Sequence, residues 1–245
     1  MKKINKLDFF QSKIYNIIYL ILCVFSFISI LIIQILKQTD FNNQSYQLGI
    51  RIIVPLFVFV SFLYSLITNK IKQTFLVSIA LFCCFIAELL GSLKVDMNLI
   101  AFVFCHISLI IYFLQKTHGF HKKDFLFLIP FFIILIIYNL VCFLWWIPIH
   151  NNVGIIFKLA VPIYGALLTF VVWRALCTYK KDQWLLFFLG TLIFYLSDLN
   201  VVLEGIAGFG ITDPIALFTF TWVTYPIAIS LLSMFGRNTL HVFLH

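Results

Sequence analysis

Charge is the first thing this 245-residue sequence lacks: Asp, Glu, Lys and Arg make up 11% of it, against about 25% in a soluble domain. Too few charges are present to cover a water-soluble fold of this length. A soluble enzyme, a nucleic-acid binder and a secreted disulfide scaffold are thereby excluded. No Walker loop or dinucleotide fingerprint occurs, and no G-x-S-x-G elbow, which disfavours nucleotide and serine-hydrolase chemistry. CxxC spacing is missing too. Cys23, Cys83, Cys84, Cys105, Cys142 and Cys177 all lie in or beside apolar runs, so they read as small apolar fillers rather than zinc ligands or disulfide partners. No internal repeat and no low-complexity linker is visible.

What is present is hydrophobic: 63% of the chain, including 30 Phe. The net charge of +8 comes from basic residues scattered between apolar runs, not from a patch suited to nucleic acid. Crossing a bilayer core of about 30 Å takes roughly 20 apolar helical residues. Runs of that kind lie near 17–36, 48–67, 75–93, 97–115, 125–147, 153–174, 184–204 and 213–235. They are apolar all round, unlike the one-sided helices of a soluble bundle. The sequence therefore predicts an all-α, polytopic membrane protein: one domain of eight transmembrane helices over residues 1–245, surrounded by membrane lipids.

Lys and Arg set the orientation. Lys2, Lys3, Lys6, Lys13, Lys70, Lys72, Lys116, Lys122, Lys123, Lys180, Lys181 and Arg237 fall on one side, and only Lys37 and Lys94 on the other. Both termini are expected in the cytoplasm, and the composition fits a bacterial inner membrane. The first run follows a basic start like a signal peptide, but it is too long for that and lacks an A-x-A-like cleavage site. It reads as a retained helix. Trp145, Trp146, Trp173 and Trp184 are expected at the interface, and Pro55, Pro130, Pro162 and Pro226 inside spans.

An ionisable residue inside a bilayer is costly and marks a functional candidate. Glu88 in the third span, His106 in the fourth and Asp198 in the seventh are such residues. At about 1.5 Å rise per residue, Glu88 and Asp198 lie roughly 20 Å above the cytoplasmic ends of their helices, and His106 about 13 Å below the outer end of its own. All three share a slab of the outer half. Arg51 and Lys158 lie about 5–8 Å below the outer surface, where they can snorkel or hold an anionic head group. Tyr164, Tyr195 and Tyr225 lie within spans and read as packing residues when taken alone. His241 and His245 have metal-pair spacing but no evident third ligand, so no metal and no cofactor is expected.

The segment Leu189-Gly190-Thr191-Leu192-Ile193-Phe194-Tyr195-Leu196-Ser197-Asp198 resembles the G-x-x-x-F-x-x-S-D signature of the YhhN family, the lysoplasmalogenases. Phe102-Val103-Phe104-Cys105-His106, followed by Tyr112-Phe113, is similar to its F-x-x-x-H helix. Val161-Pro162-Ile163-Tyr164 and Thr224-Tyr225 resemble motifs of its sixth and eighth helices. Two positions depart from the pattern: Ala87-Glu88 stands where the family usually has Gly-Asp, and Ile229 where it has Gln.

The resemblance implies an eight-span fold and hydrolysis of the vinyl ether bond of a lysoplasmalogen, a lysophospholipid, to a fatty aldehyde and a glycerophospho-base. Such chemistry needs a proton donor, a base to position water and negative charge facing an oxocarbenium ion, as paired carboxyls supply in glycosidases. On this reading Asp198 is the acid, Glu88 the base and His106 holds or relays the proton; the first two roles can be exchanged. Tyr164, Tyr195 and Tyr225 would line the site, and Lys158 or Arg51 would hold the phosphate. The rival expectation is a non-enzymatic lipid-binding or proton-coupled transport protein.

Overall fold

The computed structural model describes residues 6–39, 44–68, 75–91, 95–116, 124–141, 143–144, 155–178, 184–207 and 214–234. Long apolar runs satisfy their backbone groups most economically as helices, which pair every internal N–H within the segment. Eight helices result among the described residues: α1 (Lys6–Thr39), α2 (Gln44–Thr68), α3 (Phe75–Gly91), α4 (Val95–Lys116), α5 (Asp124–Val141), α6 (Ile155–Thr178), α7 (Trp184–Ala207) and α8 (Pro214–Met234). No strand occurs among them. Each helix overlaps one expected run. The largest differences are α1, which begins well before residue 17, and α5, which ends at Val141. Ile14–Ile33, Asn98–Gln115 and Asp124–Val141 are long and apolar enough to cross a membrane. Pro55, Pro130, Pro162 and Pro226 are accommodated inside α2, α5, α6 and α8.

Five helices close a ring. α3 packs on α4, α4 on α6, α6 on α7, α7 on α8, and α8 returns to α3. α2 braces the ring along α3 and α8, α1 leans on α2 and α8, and α5 packs on α6 from outside. The outer helices expose apolar side chains such as Phe25 on α1 and Leu126 on α5. The ring helices bury theirs, with Leu81, Leu109, Phe113, Phe187, Phe194 and Ile229 in one core. A second cluster joins Phe131, Tyr164, Leu168, Val172, Trp173 and Tyr195 between α5, α6 and α7.

Hydrogen bonds between side chains lock neighbouring helices where apolar packing alone leaves rotation free. The Tyr19 hydroxyl reaches Ser61 Oγ at 2.8 Å and Ser233 Oγ at 2.6 Å, tying α1 to α2 and α8. Its ring stacks on Tyr64 at 3.8 Å, and the Tyr64 hydroxyl donates to Asn16 Oδ1 at 2.7 Å. Ser65 and Ser78 join α2 to α3 at 2.7 Å. Asn200 donates to Thr221 Oγ1 at 2.6 Å across the α7–α8 seam. On the outer side of the ring, Trp173 Nε1 donates to the Asp124 carbonyl at 2.8 Å, while Arg174 pairs with the Asp124 carboxylate at 3.4 Å.

Trp173 thus departs from the expectation of an interfacial indole. It is 3% exposed because its N–H is spent on α5 and its ring lies against Phe125 and Phe170. The side chains of Trp145, Trp146, Trp184, His241 and His245 lie outside the described residues.

Candidate active site

Each helix of the ring sends at least one polar or aromatic side chain to a common interior. On α3, Cys84 and Glu88 are four residues apart and so share a face. On α4, Phe102 and His106 have the same spacing, and on α7 so do Phe194 and Asp198. Tyr164 comes from α6 and Tyr225 from α8.

The contacts between them are specific. The Tyr164 hydroxyl donates to Asp198 Oδ2, joining α6 to α7. The Tyr164 ring stands edge-on to the His106 imidazole, with centroids 5.1 Å apart. Phe194 packs on His106 at 5.3 Å and on Tyr225 at 5.6 Å, and Phe102 lies against Tyr164, Phe194 and Tyr225. The Tyr225 hydroxyl faces the Glu88 carboxyl and interacts with it. Glu88 lies within electrostatic reach of Asp198, and both carboxyls lie within such reach of the Cys84 thiol. Glu88 and Asp198 are half-buried, whereas His106, Tyr164 and Tyr225 are buried.

Neither carboxylate is neutralised by a cation among the described residues. Arg51 is exposed on α2, so it is not brought to the cluster. Lys158 belongs to α6, but its side chain lies outside the described residues. Tyr195 is buried against Phe131 at 6.2 Å and faces Thr169 of α6. It occupies the α5–α7 side of α6, beside the cluster rather than in it. The structure therefore brings together Glu88, His106, Asp198, Tyr164 and Tyr225, places Tyr195 in the adjoining cluster that shares Tyr164, and leaves Arg51 apart.

Cys84 and Cys105, expected as apolar filler and indeed part of the buried core, also border this interior. Cys84 Sγ donates to Cys105 Sγ at 3.3 Å across the α3–α4 contact, next to both carboxyls. The i, i+4 relation of Cys84 to Glu88 and the adjacency of Cys105 to His106 were the available signals. Among the described residues no three His, Cys, Asp or Glu side chains are grouped to hold a metal ion.

The fold and its interior define a class: an all-helical bundle whose ring of five helices encloses two carboxyls, an imidazole and two phenols. The YhhN family model matches residues 46–234, and the chain belongs to that family. That segment begins in α2 and ends with α8, so it includes every helix of the ring. No curated protein and no solved structure gives a significant match.

Proposed function

We propose that this protein is a membrane-embedded hydrolase that cleaves the vinyl ether bond of lysoplasmalogens, releasing a fatty aldehyde and a glycerophospho-base. Family membership supports the reaction class. The observation that carries the chemistry is the pairing of Glu88 with Asp198 inside the ring, with Tyr164 bonded to one and Tyr225 facing the other. Eight apolar helices, cytoplasmic termini and a bacterial inner membrane belong to the same proposal, with lipid covering the exposed apolar faces of α1 and α5.

The hydrogen bonding favours the exchanged assignment of roles. A carboxylate that accepts a phenolic O–H is fixed as an acceptor, so Asp198 suits the base that orients water. Glu88 is faced by the Tyr225 hydroxyl rather than held as Asp198 is, and it suits the acid. Glu88 delivers its proton to the vinyl carbon distal to the ether oxygen, and the adjacent carbon becomes an oxocarbenium ion facing two acidic side chains. Water adds to that carbon as Asp198 takes its proton. The hemiacetal collapses, its hydroxyl proton passing to the departing glycerol oxygen. A proton returning from Asp198 to Glu88 restores the starting state. Neither a metal nor an oxidant enters the balance.

The test is release of aldehyde by purified protein from lysoplasmalogen, beside its saturated alkyl-ether analogue, which has no carbon to protonate. Aldehyde from the first alone is expected. Inertness toward both, or full activity in Asp198→Asn, overturns the mechanism; proton movement coupled to lipid uptake without aldehyde would establish transport instead.

A further inference from the structure

His106 carries an instruction about its ligand. Its Nδ1 lies 2.8 Å from the Phe102 carbonyl oxygen. A carbonyl can only accept, so Nδ1 is the nitrogen that bears the proton. In the neutral ring that leaves Nε2 as a bare acceptor. Nε2 is buried and has no hydrogen-bond partner among the described residues, on a side chain with 0% exposure. The rings around it, Phe102, Phe194 and Tyr164, offer it nothing: two carry no donor, and the Tyr164 hydroxyl is committed to Asp198. A buried acceptor left empty is costly, so this position calls for a donor that none of the described residues supplies.

A phosphate diester is an acceptor only, and so is an ether or ester oxygen; none of them can pair with Nε2. In a lysophospholipid the group that can donate next to the reacting ether is the free secondary hydroxyl of the glycerol. We propose that His106 Nε2 is the binding site for that hydroxyl, and so the residue by which the protein selects lysolipids over those acylated at the neighbouring position. This assignment rests on the lysolipid reading above. An acylated oxygen has no proton to donate, and it would leave Nε2 unpaired while pressing an acyl chain onto Tyr164 and Phe194. Orientation follows as well: hydroxyl on α4 and ether at the α3–α7 carboxyls places the head group away from the imidazole.

The test needs no turnover. Binding to purified protein is measured for a saturated 1-O-alkyl lysophospholipid and for its 2-deoxy and 2-O-methyl analogues, none of which can be hydrolysed by carbon protonation. The hydroxyl compound is expected to bind about tenfold tighter than either analogue, the loss that follows one buried unpaired acceptor. His106→Leu is expected to abolish the preference by weakening the hydroxyl compound alone, and His106→Gln, which keeps an acceptor, to retain part of it. Equal binding of the three lipids by the wild-type protein overturns the proposal, with no variant required. So does a preference that survives in His106→Leu. A hydroxyl preference with no aldehyde formed from lysoplasmalogen supports the His106 site while overturning the hydrolysis.

Discussion

Asp198 and Glu88 are the same chemical group placed in different company, and their neighbours separate their roles. Tyr164 holds Asp198 by a donated hydrogen bond; Tyr225 only faces Glu88. Losing a positioned acid or base costs about 10²–10⁴ in rate. Asp198→Asn and Glu88→Gln are each expected to lower aldehyde release by that factor while leaving the thermal transition in detergent near that of the wild type. Tyr164→Phe removes the bond without emptying the space. It is expected to lower kcat roughly tenfold, as the loss of about one hydrogen bond, with KM little changed. A fall in KM-determined binding alone would show that Tyr164 holds substrate rather than Asp198. The departure at Glu88 from the family's Asp is compatible with this arrangement, since a longer side chain still reaches the Asp198 field from α3.

Among the elements, α5 and α6 form the most explicit contact. Gly165 is the site of a close approach: a Cβ there would lie 2.5 Å from the Tyr138 ring, so the absence of a side chain lets α5 seat against α6. Gly165→Ala is expected to destabilise the protein by about 1–3 kcal/mol, the cost of overpacking, read as a lowered denaturation midpoint. The Asp124–Arg174 pair clasps the same two helices, with the arginine 3% exposed. Asp124→Ala strips a buried guanidinium of its counter-charge, and a loss of at most about 3 kcal/mol is expected. Activity measured below the melting temperature should survive both changes, because neither residue touches the carboxyl pair. Apolar run lengths made the helices legible in the sequence, since a run of twenty Ile, Leu and Phe has few other ways to bury its backbone. Trp173 was misread because proximity to a span end does not reveal that Asp124 of another helix waits to accept its N–H.

Across the whole molecule, the sequence placed Glu88, His106 and Asp198 at one depth because helical rise converts position into height. It could not place them side by side. That depends on α8 returning to α3 and on α6 lying between α4 and α7, contacts made by apolar surfaces too alike to be told apart by composition. The same blindness hid the Cys84–Cys105 contact. The basic loops carry a prediction at this scale: reporters fused to either end are expected to be reached only from the cytoplasmic side. A terminus detected outside would reverse the depth order of the carboxyls and the head group.

The closure of the ring by α8 also has a consequence for the order of assembly. Tyr225 and one wall of the interior are delivered by α8, which follows the other four ring helices along the chain. Until that helix docks, Glu88 has no phenol opposite it and the enclosure stands open to acyl chains. On the proposed reading, a chain cut before Pro214 lacks that wall and is expected to release no aldehyde in the same assay.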